Sequence, residues 1–216
     1  MSLTYFGYCD PSTGVGTGQA SLNTGAFMDW VTAGYACPGT GNQTLKKIGI
    51  QTRSADVYAL VGIYNTSNQL VCHATSRKLS LLCDTAAEDI WTEWDDTETT
   101  WVIGTTLNGG DTYILVAAFA GNTGIWGTAS QPSGTSKYIN GDVTSTGMPS
   151  TLAAGTSYTQ LLNIRAAVEP AESGTDRIIV IDEGVGINEG PFVKKEEPMF
   201  GNTGADGIFL GLGNRI

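Results

Sequence analysis

The chain has 216 residues, of which 29 are glycine and only 15% are charged. Lysine and arginine number 11 against 21 aspartates and glutamates, which gives a formal net charge of −10. An acidic surface of this kind repels phosphate backbones, which argues against nucleic-acid binding. No apolar run reaches the ~18 residues of a transmembrane helix, so no membrane partner is expected.

Segments with strand character recur along the chain and are separated by turns rich in Gly, Asn, Asp and Ser. The predicted strands are 45–53, 56–66, 69–75, 78–82, 99–107, 112–120 and 157–169. Turns are predicted at 65–68 and 108–111, and the nearly continuous apolar run 112–120 predicts a central core strand. Because helical crossovers are absent, the fold class is all-β. The predicted architecture is an antiparallel β-sandwich with jelly-roll-like topology, and lectin-like or immunoglobulin-like sandwiches are the alternatives.

The composition changes after this strand series. Residues 1–170 are predicted to form the sandwich, with 1–25 as a possible contact arm, and 169–174 read as a linker. Residues 171–216 are too few for a core of their own. We therefore expect them to form an extended C-terminal assembly arm on a neighbouring subunit, and a tail that folds back on its own domain is the alternative. The apolar residues of this arm are Ile178, Ile179, Val180, Ile181, Phe192, Phe200, Ile208, Phe209 and Leu210.

Four cysteines are spread over the first half of the chain: Cys9, Cys37, Cys72 and Cys83. Without a C-x-x-C pair, and with His73 as the single histidine, a structural zinc site is not expected. Cys9 and Cys37 lie in similar loop sequences, and Cys72 and Cys83 flank a short connection. The preferred disulfides are therefore 9–37 and 72–83, and four buried free thiols are the alternative.

The stretch 88–101, EDIWTEWDDTETTW, combines three tryptophans with six carboxylates. Its hard oxygen ligands, among them Asp95, Asp96 and Glu98, suit calcium, although no EF-hand spacing is present. The same segment spells E-x-D-x-x-E and resembles the motif of laminarinase-like glycosidases, which implies Glu93 as nucleophile, Glu98 as acid/base and Asp95 as their orienter. The polar residues between these carboxylates depart from that motif. An acidic rim running into a core strand is the favoured interpretation.

Aromatic rings can also serve as platforms for sugars. Trp126, in a turn-rich segment, is predicted to lie at the surface, and Trp91 and Trp94 are further candidates for glycan binding. No G-x-S-x-G elbow or phosphate loop is present, and His73 has no serine tied to it. No catalytic residue is therefore predicted, and the chain is not expected to be an enzyme.

The run from Val57 to Gly121 resembles the jelly-roll domains of phage decoration, tail and fibre proteins. The resemblance rests on Gly62-Ile63-Tyr64, on Trp101, and on Leu107, Gly110 and Tyr113 that follow it. It implies a non-enzymatic virion structural protein that binds copies of itself, neighbouring virion proteins or surface polysaccharide. The opening MSLTYFG lacks the basic and apolar regions of a secretory signal.

The first hypothesis is thus a self-assembling structural protein on a virion surface or in an extracellular setting, without a cofactor other than a possible calcium ion. Two other functions stay open beside this one. A secreted carbohydrate-binding module is the second hypothesis, and a laminarinase-like glycoside hydrolase is the third.

Overall fold

A computed structural model describes residues 3–54, 57–85, 87–95, 105–141 and 143–170, with the backbone alone at Asn23. No helix occurs in these ranges, and every strand pairing is antiparallel. The chain divides into two units, Met1–Ala171 and Glu172–Ile216, and all described strands belong to the first. The strands are β1 (Thr4–Gly7), β2 (Ala20–Asn23), β3 (Phe27–Val31), β4 (Tyr35–Ala36), β5 (Gly41–Ile50), β6 (Tyr58–Asn65), β7 (Leu70–His73), β8 (Arg77–Lys78), β9 (Thr92–Asp95), β10 (Thr106–Gly109), β11 (Thr112–Phe119), β12 (Gly124–Thr128), β13 (Ser136–Asn140), β14 (Thr156–Tyr158), β15 (Leu161–Leu162) and β16 (Ile164–Pro170).

Two main sheets form the sandwich. Sheet A has the order β1-β16-β5-β10, with β9 also on β5, and sheet B has the order β14-β13-β3-β11-β6-β7. Taken in chain order, the eight main strands are β1, β3, β5, β6, β7, β10, β11 and β16. When these eight strands are numbered 1 to 8, sheet A has the order 1-8-3-6 (β1, β16, β5, β10). Sheet B contains the order 2-7-4-5 (β3, β11, β6, β7). These two orders define the jelly-roll arrangement. The predicted fold class is confirmed.

A short third sheet, sheet C, has the order β15-β12-β2. The main core lies on the inner faces of the sheets and includes Ile48 of β5, Trp94 of β9 and Leu115 of β11, each at most 1% exposed. Alternate residues of β11, such as Val116, point the other way into a second cluster, which Met148 and Leu152 cover. Burial on both faces explains why the sequence of β11 is continuously apolar.

Both predicted turns are present. Asn65 accepts hydrogen bonds at its side-chain oxygen from the backbone N–H groups of Ser67 and Gln69, and Asn68 adopts a φ of 61°. Asparagine tolerates this left-handed conformation better than most residues. The turn at 108–111 contains Gly110 at a φ of 90° and carries the chain from β10 in sheet A to β11 in sheet B.

Other predictions were wrong or fall outside the described ranges. The stretch 88–101 was expected to be an acidic loop, but Thr92–Asp95 form strand β9 and pair with β5. Strands β1 to β4, β12 and β13 were not predicted, because each has at most five residues, too few for a clear alternating or apolar pattern. The C-terminal arm over 171–216, with all its predicted assembly residues, lies outside the described residues.

The disulfide prediction was wrong, since all four cysteines are free and buried. Cys37 and Cys72 pack in the main core, and Cys83 packs against Trp126. Burial raises the pKa of Cys9 and Cys72 to about 12 and that of Cys37 and Cys83 to about 11. These thiols therefore behave as small apolar side chains, which was the alternative interpretation.

Candidate functional site

The outer face of sheet A carries the acidic strand that the sequence singled out. On β9, Trp94 points into the core, and its indole N–H donates to the carbonyl of Thr75 at 2.9 Å. Because side chains alternate along a strand, Glu93 and Asp95 point to the opposite, outer face. Strand pairing then places Glu93 beside Gly49 of β5, and Gly49 beside Arg165 of β16.

Arg165 is the centre of this face. Its side chain is 5% exposed, and its guanidinium lies in line with Glu93 across the bare backbone of Gly49. One terminal nitrogen of Arg165 donates to the carbonyl of Gly14 at 2.6 Å and to the carboxylate of Asp89 at 2.7 Å. The other donates to Glu93 at 2.7 Å. A side chain at position 49 would crowd this contact, because a Cβ there would lie 3.2 Å from Cγ of Glu93.

Two aromatic rings flank the guanidinium. Its central carbon lies 4.3 Å from the ring centroid of Trp91 and 4.9 Å from that of Tyr5. A flat delocalised cation stacks well on such rings, so the charge of Arg165 is stabilised with little access to water. We call Arg165, Trp91, Tyr5, Glu93 and Asp89 the Arg165 cluster.

The second oxygen of Glu93 accepts a hydrogen bond from Lys47 at 2.9 Å. Both oxygens of this carboxylate therefore face cations, Arg165 on one side and Lys47 on the other. Paired charges of this kind hold chain segments in place. The glycosidase hypothesis assigned Glu93 as nucleophile, and its proposed partner Glu98 lies outside the described residues.

A neutral network accompanies the charged one. Asn163 pairs with the backbone of Gly18 in the manner of a β-bridge, accepting from its N–H at 2.9 Å and donating to its carbonyl at 2.9 Å. Asn163 also donates to the side chain of Gln51 at 2.7 Å, which in turn donates to the carbonyl of Glu88 at 2.7 Å. The close fit at Gly18 leaves no room for a side chain, since a Cβ there would lie 2.2 Å from the backbone of Gly127.

Together the two networks fix two connections onto the sandwich: the β1–β2 loop (residues 8–19) and the β8–β9 loop (residues 79–91). Gly14 and Gly18 belong to the first loop, and Glu88, Asp89 and Trp91 belong to the second. Backbone bonds hold the second loop further, as Thr52 accepts from the N–H of Cys83 at 3.0 Å and its hydroxyl donates to the carbonyl of Leu81. The described residues of both loops are therefore held in defined conformations.

The β8–β9 loop exposes apolar side chains. Four large hydrophobic residues are exposed among the described residues, and three of them belong to this loop: Leu81 at 49%, Leu82 at 46% and Ile90 at 38%. The exposed acidic residues Asp84 and Asp89 lie among them in the sequence. We call this set the loop surface. Exposed apolar side chains gathered on one segment are typical of interaction sites.

The predicted glycan platforms do not lie at the surface. Trp126 was expected there, but it is 9% exposed and its indole N–H donates to the carbonyl of Cys83 at 3.1 Å. Trp94 is fully buried, and Trp91 is 4% exposed beneath the guanidinium of Arg165. None of the three rings offers a face for a sugar, so these assignments were wrong. Each ring instead fills the interior or the Arg165 cluster.

The predicted metal ligands are only partly described. Asp95 lies on the outer face of β9, whereas Asp96 and Glu98 lie outside the described residues. Among the described residues, no group of three or more His, Cys, Asp or Glu side chains is arranged to hold a metal ion. A calcium site that uses residues beyond Asp95 stays a prediction.

Sequence reasoning missed the residues that organise this face. Arg165 and Asn163 lie in the predicted strand 157–169, and the available signal was a cation and an amide in otherwise apolar surroundings. Leu81 and Leu82 were assigned to a strand, although they lie in the exposed β8–β9 loop. Their apolar character predicted burial, which the structure does not show.

No protein-family model matches the chain, and searches of curated proteins and of solved structures find no match either. Within the described ranges, no helix has the length and hydrophobicity needed to cross a membrane.

Proposed function

We propose that this chain is a non-enzymatic structural protein that assembles with copies of itself or with neighbouring virion proteins, as a capsid decoration or tail or fibre component. Its setting is then a virion surface. The observation that carries the proposal is the loop surface, where Leu81, Leu82 and Ile90 are exposed on a segment that buried polar networks hold in place. The jelly-roll strand order and the resemblance of its sequence to phage structural domains agree with it.

The energetics of the loop surface favour association. Full burial of a leucine side chain stabilises a complex by about 1.5–3 kcal/mol relative to exposure. Leu81 and Leu82 already lose roughly half of their surface in the described fold, so their contact with a partner supplies about 2 kcal/mol together. Because the loop is fixed by Asn163, Gln51 and Arg165, little conformational entropy is lost when a partner binds.

The C-terminal segment supplies a second reason. Residues 171–216 contain the run Ile178-Ile179-Val180-Ile181, which would be costly to leave in water. Addition of such a run to a sheet edge of another subunit would bury it and satisfy its backbone groups. The proposal therefore assigns two elements to assembly, the loop surface and this segment.

The test is the association of purified full-length protein, measured by sedimentation velocity over a wide concentration range. We expect the wild type to form oligomers. The double variant Leu81→Ser/Leu82→Ser should weaken association about tenfold or more, in keeping with the loss of about 2 kcal/mol. The variant Ile179→Ser/Ile181→Ser tests the C-terminal segment in the same way.

The matched control is Tyr58→Ser, since Tyr58 is 52% exposed but lies on β6 and not in the β8–β9 loop. Association of this control should equal that of the wild type. A wild type that stays monomeric at every concentration, and also fails to bind a co-expressed virion component, contradicts the proposal. Equal effects of the Leu81/Leu82 and Tyr58 changes would remove the loop surface from it.

A further inference from the structure

Among the described residues, Asp29 is the one carboxylic acid that is buried. It lies in the middle of β3 and is 3% exposed. Strand pairing places it directly between Ala117 of β11 and Tyr138 of β13. Residues that pair in this way point to the same face of a sheet, and Ala117 belongs to the main core. The carboxyl group of Asp29 therefore points into the sandwich.

The surroundings of this carboxyl group do not suit a negative charge. Asp29 lines a cavity of about 10 Å³, which admits one water-sized group and not a hydration shell. The other lining residues are Trp30, Val31, Leu115, Ala117, Leu162 and Ile164. None of them is a cation, and Oδ2 of Asp29 is buried without a hydrogen-bond partner. Burial of a charged carboxylate here is costly, whereas burial of the neutral acid costs much less.

The titratable groups that face Asp29 from neighbouring strands are tyrosines. Tyr35 of β4 and Tyr158 of β14 lie within electrostatic range of Asp29, and Tyr138 is its paired neighbour on β13. Tyr8 and Cys9 lie in turn within electrostatic range of Tyr35. Ionisation of any of these groups would add a second negative charge, so none of them stabilises the carboxylate.

The cations of the adjacent strands point elsewhere. Lys137 of β13 is paired with Trp30 and therefore lies on the opposite face of sheet B from Asp29. Arg165 of β16 lies on the outer face of sheet A, where it bonds to Glu93. Strands β11, β15 and β16 contribute only apolar side chains to the cavity. In the described part of the chain, no side chain thus provides a counter-charge for Asp29.

These surroundings link the protonation of Asp29 to folding. Burial raises the pKa of Asp29 well above the ordinary value of 3.8, and the backbone N–H of Trp30 has a smaller, opposite effect. Below pH 3.8 the carboxyl group is protonated in the folded and the unfolded chain alike. As the pH rises further, the unfolded chain releases this proton first. The folded state therefore loses stability with each increment of pH, until the pH passes the pKa of Asp29 in the folded state.

The place of β3 in sheet B determines which strands this affects first. The order β14-β13-β3-β11-β6-β7 joins β13 and β14 to the rest of the sheet through β3 alone. Detachment of β13 from β3 would admit water beside Asp29, and local opening at the end of a sheet costs less than global unfolding. Ionisation of Asp29 and detachment of β13 therefore favour one another.

We propose that Asp29 is a pH-sensitive switch within the sandwich, which keeps β13 and β14 attached while it is neutral and releases them when it loses its proton. This switch does not depend on the assembly function proposed above. The range from about pH 5 to 8 isolates it from the other described groups with a shifted pKa. The pKa of Asp10 is lowered from 3.8, and those of the buried thiols and tyrosines are raised from 9.0 and 10.0, so their effects fall outside this range.

Urea denaturation of the full-length protein between about pH 5 and 8 tests the switch. The comparison is with Asp29→Asn, because the amide has the size of the carboxyl group and does not ionise. Relative to this variant, the folded-to-unfolded ratio of the wild type should fall up to about tenfold for each pH unit. Asp111→Asn is the matched control, since Asp111 is exposed in the turn after β10 and its replacement should leave the fall intact. Equal pH dependence of the wild type and Asp29→Asn would overturn the proposal.

Hydrogen exchange measures where the opening occurs. After correction for the intrinsic exchange rate, opening of the β13 amides (Ser136–Asn140) should increase with pH in the wild type and stay constant in Asp29→Asn. An opening of β13 with the same pH dependence in both proteins would contradict the release of this strand.

A measurement on the wild type alone covers the case in which the variant does not fold. The infrared spectrum at about pH 6 should contain the C=O band of a protonated carboxylic acid, and this band should disappear when urea unfolds the protein at the same pH. A spectrum of the folded protein without this band would show that Asp29 is charged inside the sandwich, which the switch excludes.

Discussion

Replacement of Arg165 by alanine would remove the centre of the Arg165 cluster and leave its partners in place. The carbonyl of Gly14 would lose its buried donor, which costs about 1–3 kcal/mol. Glu93 would lose one charged hydrogen bond, worth about 1.5–3 kcal/mol, but would keep Lys47. Asp89 contributes little, since its side chain is 58% exposed and returns to water.

The two stacked rings add about 0.5–1 kcal/mol each. These contributions are not additive, and buried ion pairs that lose one partner typically cost about 3–5 kcal/mol. We therefore expect Arg165→Ala to lower the free energy of unfolding by about 4 kcal/mol. Arg165→Lys should recover less than half of this loss, because one ammonium group cannot reach Gly14, Glu93 and Asp89 together.

Urea denaturation followed by tryptophan fluorescence measures the effect, as Trp91 lies against the altered side chain. A loss of about 4 kcal/mol should move the midpoint by more than about 1 M. The matched control is Arg53→Ala, since Arg53 is exposed, donates to the hydroxyl of Ser21 at 2.6 Å and lies 5.9 Å from the ring centroid of Trp126. The control should lose at most about 1 kcal/mol. Equal losses at both arginines would refute the role given to the cluster.

Two further predictions concern the thiols and the close approach of β15 to β12. The four buried thiols should resist a disulfide-exchange reagent in the native protein and all react in denaturant, because burial raises the pKa of each; rapid labelling of the native protein would contradict their placement. Gly127→Ala should cost more than about 2 kcal/mol in thermal or urea denaturation, because the new Cβ would lie 2.1 Å from the carbonyl of Leu161. Gly121→Ala is the control, since its Cβ would meet only Val57 at 3.5 Å. Equal stability of the two variants would show that β15 lies less close to β12 than described.

The sequence was most informative where burial is one-sided or complete. Strand β11 is apolar on both faces, and β6 is nearly so, and both were predicted within two residues of their bounds. The turns around Asn65 and Gly110 were found because few residue types adopt their backbone angles. Strands such as β1 and β12 carry no such pattern. They are stabilised by long-range pairing with β16 and β2, which a local window does not contain.

The contacts on the outer face of sheet A were not predicted from the sequence, for a related reason. Glu93 was singled out by its spacing from Asp95, but its partners Arg165 and Lys47 are far from it in sequence. Glu93, Gly49 and Arg165 lie side by side only after β9, β5 and β16 have paired. Trp126 was misplaced because glycine-rich neighbours suggested a surface turn, whereas those glycines allow β2 and β15 to approach closely on either side of it.

The position of β16 has a consequence for the order of folding. It is the last described strand of the chain, yet it lies between β1 and β5 in sheet A. During synthesis, the edges of β1 and β5 that pair with β16 therefore stay unpaired until residues 164–170 have left the ribosome. Pairings over such separations form slowly, and open edges invite pairing with other chains. A nascent chain of this protein is thus most exposed to misassociation just before its sandwich closes.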